Sequence, residues 1–289
     1  MENQTNKGIF YPLAAYLLWG LLTIYWKQLS IIPAWDILAH RIFWSFLFLA
    51  AILTFNHRWG EFKVAFSSKR SIITIAAAAI LISINWLVFI WAVNNNHIVE
   101  SSMGYYINPL LTILLGTVVL KEKRDRWQTL SIVLAFTGVA YFTYQFGSLP
   151  WVAITLAVSF ALYGLVKKMS PLNSLVGLTA ETIMVAPFAV LYLIYQGSTS
   201  TTYESISIST IVLILLSGVV TSIPLLLFAK GAKRVSLTTL GFVQYITPTI
   251  SLLIGVFVYG ETFTLAHRIC FVLIWISLLI YSTTRKKRG

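Results

Sequence analysis

Two ionisable side chains lie deep inside apolar stretches of this sequence. Glu181 lies about ten residues into one long apolar run, and Arg41 lies within another. A charged group in hydrocarbon is costly unless it is paired or hydrated, so both positions suggest function. In an apolar cavity a carboxylate favours its protonated form, so Glu181 could bind and release a proton. It could equally pair with a cationic substrate group or form a structural ion pair between helices.

Arg41 offers the complementary chemistry. A guanidinium can hold a carboxylate through two parallel hydrogen bonds. We therefore expect Arg41 to contact either Glu181 or an anionic group of a substrate, with a purely structural ion pair as the alternative. The adjacent His40 points about 100° away around the same helix, so both side chains cannot face one spot. For His40 we favour a structural role.

Aromatic and amide side chains supply further candidates for substrate binding or coupling. Asn85 and Trp86 lie in the middle of an apolar run, too deep for an interfacial aromatic belt, and they predict a cavity. Tyr106 and Tyr245 occur in matching positions, each three residues before a proline, although packing would also explain them. The remaining candidates in this class are Trp19, Tyr25, Asn108 and Gln244.

Three charged residues flank the apolar runs and could form a gate or vestibule. Lys27 and Asp36 border the first short connection, where they could form a surface pair or an outer gate. Glu100 begins another run, where it could be solvated or line a vestibule.

The sequence carries no motif of a familiar enzyme site. It has no G-x-x-x-x-G-K-[ST] loop, no H-E-x-x-H pair and no G-x-S-x-G turn. Its four histidines are scattered, and its one cysteine, Cys270, excludes an internal disulfide. We therefore predict no catalytic residues, no cofactor and no metal. Transport would then depend on the solute gradient, on protons or on a partner.

Composition indicates the elements that must position these residues. Apolar residues make up 58% of the 289 and charged residues only 10%, against about 25% charged in soluble domains. Since a span needs about 20 apolar residues, the sequence predicts an all-α integral membrane protein with ten transmembrane helices. The predicted spans are Ile9–Leu29, Ala34–Phe55, Ile72–Val93, Val99–Leu120, Trp127–Phe146, Trp151–Val166, Leu172–Tyr195, Ile206–Ala229, Ser236–Tyr259 and Leu265–Thr283.

The net charge of +12 is distributed according to topology. With ten spans and both termini in the cytoplasm, 18 of the 21 basic residues fall on the cytoplasmic side. The connections after the third, fifth and seventh spans carry no Lys or Arg. This is the positive-inside pattern, so the basic charge indicates membrane orientation and not nucleic-acid binding.

The two halves of the chain repeat each other. Tyr106–Leu110 aligns with Tyr245–Thr249, and the same offset pairs Gly116 with Gly255 and Glu122 with Glu261. Each half holds five predicted spans, an odd number, so the second copy should enter the membrane the other way up. This predicts two inverted five-helix repeats, residues 8–146 and 147–284, followed by a basic cytoplasmic tail, residues 285–289.

The motifs of this chain resemble those of EamA-type transporters in the drug/metabolite transporter superfamily, most closely the RarD-like permease branch. The resemblance covers nearly the whole chain. It rests on Ala15–Gly20 with Tyr25-Trp26-Lys27, Leu38–Arg41 with Trp44-Ser45, Asn85-Trp86, Glu100–Leu110, Glu181-Thr182, Pro224–Ala229 and Gln244–Thr249.

The resemblance implies a multi-pass permease of the bacterial plasma membrane. It implies a secondary transporter that moves small organic metabolites or amphiphilic drugs by alternating access. The expected partners are an unidentified small-molecule substrate and the lipid bilayer, with a proton as one candidate coupling ion and a monomer as the functional unit. The alternatives are a membrane-embedded enzyme, a lipid-handling protein, or a structural or sensory protein without solute transport.

Overall fold

The computed structural model describes residues 2–94, 98–147, 151–199, 207–260 and 264–286. These ranges form twelve α-helices: α1 Glu2–Gln28, α2 Ala34–Phe55, α3 Trp59–Ala65, α4 Lys69–Asn94, α5 Ile98–Val118, α6 Arg126–Phe146, α7 Trp151–Met169, α8 Ser174–Thr199, α9 Ile208–Ala232, α10 Leu237–Gln244, α11 Ile246–Tyr259 and α12 Leu265–Lys286.

Eight segments of the described residues are long and apolar enough to cross a bilayer. They lie in α1, α2, α4, α7, α8, α9, α10 with α11, and α12. The two other predicted spans correspond to α5, which contributes the shorter apolar segment Met103–Val118, and to α6. Because hydrocarbon cannot satisfy exposed backbone groups, such runs fold as helices. The chain is therefore an all-α, multi-pass membrane protein.

The predicted span Ser236–Tyr259 is broken into two helices. α10 ends at Gln244, α11 begins at Ile246, and the Tyr245 N–H donates to the carbonyl of Phe242 at 3.4 Å. Pro248 has no N–H to donate to the carbonyl of Gln244, which weakens the helix at this turn. In contrast, α5 runs without interruption through Pro109.

The bundle has two ends, which we define by its connections. The connections α2–α4 (which contains α3), α5–α6, α7–α8 and α9–α10 lie together at what we call the basic end. Two of these connections touch directly, because Lys233, just after α9, donates a hydrogen bond to the carbonyl of Leu172 between α7 and α8. At the opposite end, the Tyr192 hydroxyl near the end of α8 donates to Asp36 at the start of α2.

Helices of the first half and of the second half make matching contacts. The contact between α4 and α7 corresponds to the contact between α9 and α1. In the same way, the contact between α5 and α7 corresponds to the contact between α11 and α1. α2 packs on α8, and α6 on α12, which are the pairs expected if each helix faces its own counterpart.

Among the helix contacts that involve a glycine, α2 and α9 approach each other most closely. A Cβ atom built on Gly218 would lie 2.2 Å from the carbonyl carbon of Trp44 and 2.4 Å from the backbone nitrogen of Ser45. The Ser45 hydroxyl donates to the carbonyl of Gly218 at 3.2 Å. Membrane helices use small residues to approach closely in this way. The crossing fixes how Arg41, one turn before Ser45, faces Thr221, one turn after Gly218.

Glu122 joins the two halves at the basic end. It lies between α5 and α6, and its carboxylate accepts hydrogen bonds from the backbone N–H groups of Leu237 and Thr238 at 2.7 and 2.9 Å. The Thr238 hydroxyl donates to the same carboxylate at 2.7 Å. A carboxylate is favourable at a helix N-terminus because it satisfies free N–H groups and faces the positive end of the helix dipole.

Candidate functional site

Arg41 is held between two indole rings. The Cζ atom of its guanidinium lies 4.4 Å from the ring centroid of Trp26 and 4.8 Å from that of Trp86, both within the range of cation–π contacts. Its Nε donates to the hydroxyl of Thr221 at 3.1 Å. Side chains from α1, α4 and α9 therefore fix a guanidinium that belongs to α2.

Among the residues that the structure describes, no acid is paired with Arg41. In the described part of the chain, Arg41 forms no ion pair, and its two terminal nitrogens have no hydrogen-bond partner. The Arg41 residue is only partly buried. The free edge of the guanidinium is thus an available pair of hydrogen-bond donors.

Glu181 forms a separate buried ion pair. Lys167 Nζ lies 2.6 Å from its Oε1, and the Tyr163 hydroxyl donates to its Oε2 at 3.2 Å. All three side chains are buried. Tyr163 and Lys167 lie four residues apart on α7, so they share one face and reach the same carboxylate on α8. The contact between Glu181 and Arg41 that we considered above is not present in the structure.

More lysines gather at the basic end, next to this ion pair. Lys168 Nζ donates to the carbonyl of Ala232 at 3.3 Å and to that of Val235. Burial and the nearby Lys167 charge lower the pKa of Lys233 below the ordinary lysine value, while Glu181 acts in the opposite direction. The side chains of this end tie the α7–α8 connection to the α9–α10 connection.

The predicted amide residues Asn108 and Gln244 bond to each other. Gln244 Nε2 donates to Asn108 Oδ1, and Asn108 Nδ2 donates to the carbonyl of Ala157 at 2.6 Å. The Tyr16 hydroxyl donates to Gln244 Oε1 at 3.3 Å. Both amides are buried, and the network links α1, α5, α7 and α10 across the interface between the two halves.

Asn85 and Tyr25 are turned toward neighbouring backbone. Asn85 Nδ2 donates to the carbonyl of Leu156 at 2.9 Å and to the Ser159 hydroxyl at 3.0 Å, which places it against α7. The Tyr25 hydroxyl donates to the carbonyl of Leu213 on α9. Asn85 therefore does not join Arg41, although its neighbour Trp86 does.

The other aromatic candidates lie in packed clusters. Trp19 contacts a group of rings formed by Tyr16, Phe160 and Phe228. The ring of Tyr106 packs on Phe142 with centroids 5.7 Å apart, in a cluster that includes Tyr245.

Tyr245 is fully buried, and its hydroxyl has no hydrogen-bond partner among the described residues.

The three gate candidates do not converge. Lys27 is exposed, and its Nζ lies 5.6 Å from the ring centroid of Tyr259. Asp36 is buried and accepts a hydrogen bond from the Tyr192 hydroxyl at 2.8 Å. The structure does not pair Lys27 with Asp36. The side chain of Glu100 lies outside the described part of the chain.

Trp86 and Glu181 border one small cavity between α2, α4, α8 and α9. The cavity is also lined by Ile42, Ile82, Ser83, Leu178, Thr182, Val185 and Leu225. It shares Ile42, Ser83 and Val185 with a larger apolar cleft of about 590 Å³ between α2, α4 and α8. One face of Trp86 covers Arg41, so the same indole takes part in the Arg41 site and in the cavity wall.

Four residues that contact Arg41 or Glu181 are not among the site residues predicted from the sequence: Trp26, Tyr163, Lys167 and Thr221. The four-residue spacing of Tyr163 and Lys167, close in sequence to Glu181, was a usable signal for the ion pair. Nothing comparable marked Thr221, since α9 is far from α2 in the sequence and hydroxyls are common in that run.

Comparisons with known proteins agree on one family. The model of the EamA-like transporter family matches residues 6–144 and again residues 149–283. The "Uncharacterized transporter YojE" of Bacillus subtilis is 47% identical over 290 residues, covering 98% of this chain and 96% of the relative. "Protein RarD" of Escherichia coli is 41% identical over 279 residues, covering 96% and 94%. A crystal structure with 16% identity superposes with a TM-score of 0.74 and covers 95% of this chain, which shows a shared fold.

Proposed function

Since the chain belongs to the EamA-like transporter family and is a membrane transporter, we propose that it is a secondary transporter working by alternating access. In this proposal it moves small organic metabolites or amphiphilic drugs across the plasma membrane as a monomer. The observation that carries the proposal is the matching packing of the two halves, because it gives the chain two equivalent units that can open in turn.

We further propose that the two halves are inverted five-helix repeats, residues 8–146 and 147–284, with 285–289 as a basic tail. The double match of the family model supports this division. So does the pairing of α4 on α7 with α9 on α1. If α5 and α6 cross the membrane with the eight segments described above, each half contains five spans and the second is inverted.

Alternating access requires that polar contacts between the two halves break in one state and form in the other. Arg41 bonds to Thr221, Asn108 bonds to Gln244, and Glu122 caps α10 at the basic end. In this conformation Glu122 holds the halves together at that end. Glu181 is the candidate carrier of a coupling proton, because it lies in the bundle beside a cavity and accepts hydrogen bonds from Lys167 and Tyr163.

A cross-link at the basic end tests alternating access. In a Cys270→Ala background, Glu122→Cys and Thr238→Cys would be combined and the protein reconstituted in liposomes. Oxidation is expected to lock the basic end and reduce counterflow of a radiolabelled metabolite mixture at least tenfold, and a reductant should restore it. Each single-cysteine variant serves as control and should ignore the oxidant. Full flux after complete cross-linking, measured by loss of free thiols, would contradict the mechanism.

Orientation can be tested with one exposed position at each end. Gly60 lies in α3 at the basic end with no atoms within 4 Å of a built Cβ, and Ile31 is 67% exposed in the α1–α2 connection at the opposite end. With cytoplasmic termini, a membrane-impermeant maleimide should label Ile31→Cys in intact cells and Gly60→Cys only after permeabilisation. The reverse labelling pattern would invert the proposed topology.

A further inference from the structure

We propose that the substrate is a singly charged organic anion, of the carboxylate class, bound by the free edge of the Arg41 guanidinium. This inference rests on the proposed transport function and names its substrate class. It concerns the two terminal nitrogens of Arg41.

The geometry leaves one edge of the guanidinium for a ligand. Its Cζ atom lies over the rings of Trp26 and Trp86, and its Nε donates to the Thr221 hydroxyl. The remaining edge carries the two terminal nitrogens, which have no hydrogen-bond partner in the described residues. A guanidinium edge matches the two oxygens of a carboxylate through parallel hydrogen bonds. Because these contacts already hold the side chain, little further ordering is needed when a ligand binds.

The local charges indicate an anion with one negative charge. The nearby carboxylate of Glu181 is paired with Lys167, and Asp36 accepts a hydrogen bond from Tyr192 at another point of the bundle. Arg41 therefore keeps a positive charge without an acidic partner in the described part of the chain. An uncompensated buried charge is costly, and a bound monoanion removes that cost. A dianionic phosphate ester would need a second cation at the same point.

Isosteric pairs of ligands test the inference. Binding of phenylacetate and hexanoate would be compared with that of phenylacetamide and hexanamide, which keep shape and lose charge, by thermal stabilisation of the purified protein. Wild type is expected to bind each acid at least tenfold more tightly than its amide. Arg41→Gln should lose this preference, with amide binding unchanged. Lys63→Gln, which removes an exposed cation from α3, is the matched control and should behave as wild type.

Two conservative variants show whether any loss in Arg41→Gln is structural. Arg41→Lys keeps the positive charge but loses the planar guanidinium with its paired N–H donors. Thr221→Val keeps Arg41 but removes the hydrogen bond that orients it. Both should weaken acid binding several-fold while leaving amide binding and the melting temperature near those of wild type. Equal binding of acids and amides to wild type, no acid binding at all, or unchanged acid binding in Arg41→Gln would overturn the inference.

Flux measurements separate this inference from the proposed function. If the reconstituted protein carries only neutral or cationic solutes, the result supports the transport function and contradicts the anion site. If acids bind through Arg41 but no solute crosses the membrane, the anion site stands and the proposed transport function falls.

Discussion

Replacing Lys167 by methionine is expected to destabilise the protein by about 3 kcal/mol, a typical cost of leaving one partner of a buried ion pair uncompensated. Glu181 would keep only the hydrogen bond from Tyr163. The measurement is the melting temperature of the purified protein in detergent, together with the yield of monodisperse protein. The matched control is Lys63→Met, which removes an exposed lysine from α3 and should leave the melting temperature unchanged.

The double variant Lys167→Met with Glu181→Gln tests whether the unpaired charge of Glu181 causes the loss of stability in Lys167→Met. It removes both charges, so it should recover much of the stability lost in Lys167→Met, whereas independent effects would add. Additive losses, or equal melting temperatures for Lys167→Met and Lys63→Met, would show that the ion pair does not stabilise the fold.

A side chain at Gly218 is expected to prevent correct packing of α2 on α9. A built Cβ lies 2.2 Å from backbone of Trp44, and backbone cannot move aside as the end of a flexible side chain can. Gly218→Leu should reduce the yield of folded protein more than tenfold, and Gly218→Ala should already lower the melting temperature. Since Arg41 and Thr221 each lie one turn from this crossing, Gly218→Ala should also weaken acid binding.

Gly177→Ala is the matched control for this experiment. Gly177 is also a buried glycine of a membrane helix, but a Cβ there would lie 3.7 Å or more from its neighbours, an ordinary contact distance. Gly177→Ala should therefore be tolerated. If Gly218→Ala melts like Gly177→Ala, the α2–α9 crossing is more adaptable than its geometry indicates.

Much of the fold follows from the sequence because the bilayer limits the choices. A run of about 20 apolar residues must form a helix, and the predicted span Ala34–Phe55 coincides with α2. Hydropathy does not register the break at Tyr245, because the residues on both sides are equally apolar. It also passes over α3, which lies in a connection too short and polar to cross a membrane.

The site was harder to predict, for a physical reason. Arg41 and Trp86 were identified because a charge or an indole at mid-span has few ordinary explanations. Their partners Trp26 and Thr221 come from helices distant in sequence, so only the packing of α1 and α9 on α2 brings them together. Lys167 was interpreted as a marker of orientation because it ends an apolar run, yet it lies inside α7 and neutralises Glu181.

The break at Tyr245 means that the two halves are in different conformations. Tyr106 stands at the matching position of the first half, within an unbroken α5, although both tyrosines precede a proline by three residues. A transporter with two equivalent halves stopped midway between its states would have either two straight helices or two bent ones. If the chain alternates as proposed, this asymmetry corresponds to one of the two end states of the cycle. In the opposite state, the bend would pass from α10–α11 to α5.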